Sequence, residues 1–520
     1  MPTVLSRTIC SLYDSVVDIL HHKNNWKIIL GSGLVALLVI KYRQPIFKHN
    51  PEFGDVFPNA GGLPIVGIIP FIVLSGKTTF QYCTYLSKRR RKKSFFISFA
   101  RLPFFIINGY DDIKETLVKS STAAAGRPGP ETSLYLVNPE AKGILNRDYS
   151  QEFVSQRQAC LQILRNFGFG KRSSEDRIQE EALALTNKLL EYDKPLNPTS
   201  IIQNSVANVI CNMVFGSRYE YNNSIFDKLI SNLNFMASFQ YHKCIALYLP
   251  FMAKYSTYLQ TNIKCQTEII EFIQSEIDKN QEYLRNEEEQ ENFIYSYLKL
   301  MKEKSDDSSF STEQLKFVVF DFFFGGTETT ATAISWALIY LANRPELQRR
   351  LQEEIDRVIG DGVVSLHNKN ETLLLDAFIQ ETLRISTPVP MTVLHKAIAD
   401  LSVNGLHLPK GALFTANLHS VLHDETIFKE PETFNPDRFI QNDNILRPDE
   451  LIPFGLGKYK QNNKQFLYLF ILISQQNNLD NKNTFRSLIQ ERDFVWASNW
   501  LNRNFTFSSR LLSNVSNFLG

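Results

Sequence analysis

Six consecutive residues, Gly325-Gly326-Thr327-Glu328-Thr329-Thr330, set two glycines beside hydroxyls and one carboxylate inside an apolar stretch. Each glycine weakens a helix by roughly 1 kcal/mol relative to alanine and leaves room for a flat ligand to approach the backbone. A hydroxyl and a carboxylate next to such a gap can relay protons. The same hexapeptide fits a helix kink or a close helix crossing equally well. Further along, Glu381 and Arg384 share a helix face at i,i+3 spacing and can pair. Most such pairs are surface ion pairs of little worth, but Phe378, Ile379, Leu383 and Ile385 around this one indicate burial. A buried pair needs a further partner, and Arg438 in "FNPDRF" is the candidate. A third stretch, "IPFGLGKYKQNNKQFLYLF" from Ile452 to Phe470, begins as a glycine loop built to hold something. It then turns abruptly into Lys, Gln and Asn, followed by aromatics and aliphatics.

The glycine pair lies in "STEQLKFVVFDFFFGGTETTATAISWALIYLANRP". Ser311 with Gln314 reads as a capping box, and Pro345 follows the far end. The intervening stretch of about 33 residues without proline makes a helix of roughly 50 Å. It is apolar on most sides and belongs in the interior, while Asp321 and Glu328 argue against a transmembrane span. Residues 150–345 are helical in pattern, with "DKNQEYLRNEEEQEN" and "KEKSDDSSFS" as exposed connections. Residues 395–420, with "ADLSVNGLHLPKGALFTANL", read as short strands joined by turns. The expected fold class is mainly α with a smaller β portion, an α+β arrangement. No internal repeat is visible.

In this order the pieces resemble the cytochromes P-450, the heme-thiolate monooxygenases: GGTETT in a long helix, then ETLR, PETFNPDRF and PFGLG. "GRPGP", "FVSQRQACLQILRNFGFGKRSSEDRIQEE" and "HKAIADLSVNGLHLPKGALFTANLHSVLHDE" are similar to the microsomal branch that includes drug- and steroid-hydroxylating members. The resemblance covers residues 50–457. It implies the cytochrome P-450 fold and heme b as cofactor. It implies insertion of one oxygen atom of O2 into an apolar organic substrate, with electrons from NADPH through a reductase partner. By resemblance, Gly325, Gly326, Glu328 and Thr329 lie on the distal side of the heme, where Glu328 feeds a proton relay that ends at Thr329. Glu381, Arg384 and Arg438 form a structural ion-pair cluster under the heme. Arg157 and His395 pair with heme propionates. Phe153 stands where the family usually has Trp; it keeps the packing but lacks the indole N–H, so weaker propionate anchoring is expected.

The family's ligand loop reads Phe-x-x-Gly-x-Arg-x-Cys, with the cysteine thiolate on the iron. Phe454 and Gly457 fit it, but Tyr459 replaces the Arg and Gln461 replaces the Cys. No cysteine follows Cys265 anywhere in the chain, so no metal ligand is assigned. The electron donation that favours O–O cleavage comes from a thiolate, and a neutral glutamine amide cannot supply it. Heme binding is therefore expected to be weakened or lost, and this chain to be inactive. Gly457-Lys458-Tyr459 can be encoded GGT-AAG-TAC, which contains a good splice-donor sequence. Residues 458–520, rich in Asn, Gln and Ser, are accordingly read as intron read-through or a faulty gene model, leaving the fold incomplete at the C-terminus. The alternative is a truncated, non-catalytic protein that binds a ligand or partner or is degraded.

Of 520 residues, 43% are hydrophobic and 21% charged, an ordinary globular balance, and a net charge of +2 gives no sign of a nucleic-acid partner. Six scattered cysteines without CxxC spacing point to a reducing compartment. The apolar run Ile28–Ile40 spans only about 20 Å, yet Trp26, Tyr42, Lys27, Lys41 and Arg43 flank it as interfacial residues would. The expected division is an N-terminal segment 1–24, a membrane anchor 25–43, a Pro/Gly-rich linker 44–70, a heme-monooxygenase domain 71–457 and an aberrant tail 458–520. The implied location is the endoplasmic reticulum membrane with the catalytic domain on the cytosolic side. "KRRRKK", Lys88–Lys93, reads first as a solvated helix face or turn.

Overall fold

A computed structural model describes residues 67–456, except for 92, 100–101, 130–141, 167–174, 193–196, 239–253, 361, 363–367 and 369. The apolar run, Gly457, Gln461 and the tail lie outside the described residues. The body opens with a short helix α1 (Ile69–Ser75) and α2 (Thr79–Arg90), whose N-terminus is closed by a Thr78/Gln81 capping box. Lys88, Arg89 and Arg90 form the last turn of α2, where cations complement the helix dipole. Two strands, β1 (Phe95–Phe99) and β2 (Leu102–Asn108), follow, then α3 (Tyr110–Lys114). Gly67 already bridges Phe99, so sheet pairing reaches into the stretch read as linker.

Helices occupy the middle of the chain: α4 (Gln151–Asn166), α5 (Glu175–Leu190), α6 (Thr199–Phe215), α7 (Ser224–Ala237), α8 (Thr257–Arg285), α9 (Phe293–Glu303), α10 (Thr312–Ala342), α11 (Pro345–Val358) and α12 (Leu373–Ser386). Then come β3 (His395–Lys396), β4 (Leu401–Val403), β5 (Leu406–Leu408), β6 (Leu413–Asn417) and the short α13 (His419–Leu422). The main sheet has the order β1-β2-β6-β3; β2 and β6 are parallel, the other pairs antiparallel. Its register sets His395 opposite Phe414. The helices of 150–345 and the strands of 395–420 fall where the sequence pattern put them, in a mainly α fold with a small β part, whereas β1 and β2, half of the main sheet, were not anticipated.

Helix α10 is the axis of the helical body. Ser311 Oγ accepts from Gln314 N at 3.2 Å, and buried residues run from Leu315 to Leu341 as the helix packs against α6, α8 and α12. The other half of the expected capping box is absent. The Gln314 side chain reaches instead to Gly143, accepting from its N–H at 3.3 Å and donating to its carbonyl at 3.0 Å. The stretch from Asp278 is also not wholly a connection, because α8 continues to Arg285. Ile269, Ile273 and Ile277, each fully buried, and buried Asn280 carry a stripe at helical spacing across the supposed boundary. Among the described residues no helix is long and apolar enough to cross a membrane.

Candidate active site

The two central glycines of α10 have different surroundings. A Cβ on Gly325 would meet nothing within 4 Å, although the helix around it is buried. A Cβ on Gly326 would come within 2.8 Å of Ile210 Cδ1 on α6. Each of the two sequence readings therefore describes one glycine: Gly325 opens a cleft, and Gly326 permits a close helix crossing. Thr329 Oγ1 donates to Gly325 O at 2.8 Å, so its hydroxyl sits at the same turn. Glu328 turns toward α6, accepting from Gln203 Nε2 at 3.2 Å and from Thr332 Oγ1 at 3.4 Å. Gln203 and Asn234 on α7 exchange two amide hydrogen bonds, at 2.7 and 2.8 Å, which fix the donor aimed at Glu328. Burial pushes the Glu328 carboxyl up to about 7, opposed by these two hydrogen bonds. The carboxylate and the Thr329 hydroxyl share no hydrogen bond, so a relay between them has to cross from one side of the helix to the other.

A second cluster gathers around His395 on the edge strand β3, its ring stacked on Phe414 with centroids 5.2 Å apart. Its Nδ1 lies 2.8 Å from Ala124 O and 3.0 Å from Arg127 Nη1. With its proton on Nδ1 the ring donates to the carbonyl; with its proton on Nε2 it accepts from the guanidinium. Burial, and then the Arg127 cation, hold the ring well below its ordinary range, at about 4. Arg127 Nε donates to Leu145 O at 2.9 Å and Nη1 to Gly126 O at 3.1 Å. It makes no ion pair with a described carboxylate, and burial lowers its affinity for its proton. The Asp148 carboxylate, which accepts from Arg127 N at 3.0 Å, offsets part of that effect, and a largely buried cation whose side chain bonds to carbonyls beside an imidazole is a candidate seat for an anion. Sequence reasoning passed over Arg127; its one signal was "GRPGP", quoted for its resemblance without a role for the arginine. Arg157, expected beside His395, is not brought there. It is exposed on α4 and pairs with no described residue.

Glu381, Arg384 and Arg438 do come together. Glu381 and Arg384 are fully buried, and the guanidinium grips the carboxylate with two bonds, Nε to Oε2 at 2.7 Å and Nη2 to Oε1 at 2.8 Å. Arg384 Nη1 donates to Leu422 O at 2.8 Å. Oε1 of Glu381 also receives Asn435 N at 2.9 Å and Arg438 Nε at 3.3 Å. Arg438 continues outward to the carbonyls of Lys429 at 2.6 Å and Thr433 at 3.0 Å. Every arm of the buried charge has a partner, the condition under which such a pair is tolerated. The cluster ties α12 to the segment that leads into the glycine loop. In that loop Phe454 packs on the main core and Gly455 adopts φ +90°, which favours glycine.

The described residues fit a flat ligand with an anionic edge: space at Gly325 and a cation seat at Arg127 and His395. They do not provide a thiolate in the glycine loop. Cys83, Cys160, Cys211 and Cys265 are buried in helices, and burial pushes the Cys83 and Cys160 thiols up to about 12.

A family model described as "Cytochrome P-450" matches residues 58–459, stopping two residues before Gln461. The chain is 35% identical to the Homo sapiens protein named cytochrome P-450 2J2 over 437 residues, which is 82% of this chain and 84% of that protein. It is 31% identical to cytochrome P-450 2J3 of Rattus norvegicus over 496 residues, 93% of this chain and 95% of the relative. With cytochrome P-450 2C5 of Oryctolagus cuniculus it shares 31% over 438 residues, 83% and 87% of the two chains.

Proposed function

The chain belongs to the cytochrome P-450 family, in the microsomal branch of its 2J and 2C relatives, and from that premise we propose that its gene specifies an NADPH-driven monooxygenase of apolar organic substrates while this form of the product has lost the thiolate. The family's members are heme-thiolate oxidoreductases that take electrons from a reductase. Heme, when bound, supplies the activation of dioxygen. The chain's own residues supply the surroundings. Gly325 leaves the space beside α10, and the observation that its missing side chain would meet nothing carries the reading. Thr329 Oγ1 holds a proton at that turn. Glu328, with a proton affinity near neutrality, can take one up from the α6 side and release it again. Arg127 and His395 seat a carboxylate of the cofactor, and Glu381, Arg384 and Arg438 lock the segment before the glycine loop.

Gln461 stands at the ligand position and carries a neutral amide, so this chain is proposed not to turn over. Supporting a read-through origin, the family match ends at residue 459, where the codons for Gly457-Lys458-Tyr459 can form a splice donor. A second reading follows from the same glutamine: a non-catalytic protein that keeps the scaffold for binding, or is degraded. Anchoring by residues 25–43 in the endoplasmic reticulum membrane, with the folded body in the cytosol, completes the proposal. Sequencing the transcript across the codons for Phe454 to Phe470 tests it. A message that continues as Arg-x-Cys makes the gene product a working oxygenase. A message that reads as given, from genomic DNA without GT at that site, overturns the read-through reading and leaves the non-catalytic one.

A further inference from the structure

We propose that the stacked imidazoles of His419 and His423 form an acid-sensitive clamp: a proton taken up by His419 releases α13 from α2 and thereby loosens the buried cluster of Glu381, Arg384 and Arg438. The two histidines stand at the start and just past the end of α13, with ring centroids 4.1 Å apart and planes inclined by 15°. His419 is flanked by Phe80 of α2, centroids 5.0 Å apart, and its Nδ1 lies 3.1 Å from Thr84 Oγ1 on the same helix. Thr84 Oγ1 also receives Asn417 Nδ2 at 3.0 Å, from the end of β6. His423 reaches the other way. Its Nε2 lies 3.3 Å from Thr387 Oγ1 at the end of α12, and its Nδ1 lies 3.3 Å from Glu432 Oε1. Between the two histidines in the chain, Leu422 O accepts from Arg384 Nη1 at 2.8 Å. The stack therefore joins α2 to the ion cluster through one turn of helix.

The surroundings of His419 oppose a positive charge. Facing the pair are Lys88 from α2, Arg384 with its partner Glu381 from α12, Tyr340 from α10, and Glu425 and Glu432 from the segment after α13. Both of the last two glutamates are engaged, Glu425 with Lys88 at 3.6 Å and Glu432 with His423. No described carboxylate pairs with His419. A proton there puts a cation against a second imidazole and near a lysine, in a site withdrawn from water. Burial first, and then His423 and Lys88, hold the ring well below its ordinary range. An opened form thus binds a proton that the closed form refuses. Closure is complete above about pH 6.5 and weakens as pH falls below it. Glu432, kept below the usual carboxylate range first by its hydrogen bond with His423, stays charged through the window from about pH 6.5 to about pH 5.

Amide hydrogen exchange in the full chain, corrected for its intrinsic pH dependence, measures the opening. The N–H groups of Leu422 and His423 donate to Leu418 O and His419 O. They should open more often as pH falls from about 6.5 to about 5, by up to about tenfold per unit, the limit for one proton. Asn435 N, which donates to Glu381 Oε1 at 2.9 Å, should follow the same curve. His419→Asn keeps a donor where Nδ1 stands and cannot become charged, so its curve should be flat. Lys88→Glu, an exposed change that leaves the stack in place, sets a carboxylate near the ring. It should flatten the curve in part, and it stands in if His419→Asn does not fold. A flat curve in the parent, or an acid slope that persists unchanged in the folded variants, overturns the clamp. Acid opening at Leu422 with Asn435 still protected overturns its reach to the ion cluster.

Discussion

Glu381 shows how much one side chain can hold. Its carboxylate lies fully buried and neutralises Arg384, also fully buried, while anchoring Asn435 and Arg438. Glu381→Ala leaves an uncompensated guanidinium in the core and should cost about 3–5 kcal/mol, enough to unfold a marginal domain. Chemical denaturation should show that loss, against little change for the exposed Glu346→Ala on α11, whose ion pair with Arg349 faces water. Two other buried carboxyls set a pH dependence. Burial pushes both Asp321 and Glu328 up to about 7. The folded chain thus holds more protons than the unfolded one between about pH 4 and pH 7. Their favourable contribution is complete below the unfolded values and is lost as pH rises through about 7. Urea midpoints should fall across that window, and the Asp321→Asn, Glu328→Gln double variant should flatten the fall. An unchanged slope would contradict the assignment of these two groups.

At the scale of elements, α10 does the positioning, and its glycines make separable predictions. Gly325→Ala enters open space and gains helix propensity, so it should stabilise the cofactor-free chain by up to about 1 kcal/mol while filling the cleft and weakening hemin binding. Gly326→Ala meets Ile210 at 2.8 Å and should destabilise through the α6 crossing instead. Thermal melts with and without hemin distinguish the two. Gly143→Ala, at φ +90° against Asp321, should loosen the loop whose Ile144 and Leu145 N–H groups donate to that carboxylate and speed their amide exchange. The long helix and its ends were legible in the sequence because Ser311, the apolar run and Pro345 are local signals. So was the Glu381–Arg384 pair, whose i,i+3 spacing makes contact a local matter, and Arg438 followed from the need of a buried pair for a third member. The Asp321–Leu145 and Arg127–His395 contacts were not legible. They join residues 176 and 268 positions apart, and no periodicity reports which distant loop a helix will hold. Gln314 illustrates the same limit, since its local spacing promised a cap and a distant backbone claimed the side chain.

For the whole molecule, the scaffold and the ligand loop tell different histories. The described residues from Gly67 to Leu456 build the helical body, the small sheet, the open turn at Gly325, the ion cluster and the Arg127–His395 pair proposed as a cation seat. Beyond Gly457 the composition changes, the family match ends, and no cysteine follows. On the proposed reading, the body retains what would bind and orient the cofactor, and the part it lacks is the electron-rich sulfur that makes the bound group an oxygenating one. The measurement that tests this most directly is the absorbance of the full chain, supplied with hemin, reduced and exposed to carbon monoxide. The expected result is no thiolate-type band. A band like that of active family members would contradict the account, because it would require a cysteine ligand that the chain does not place in its loop.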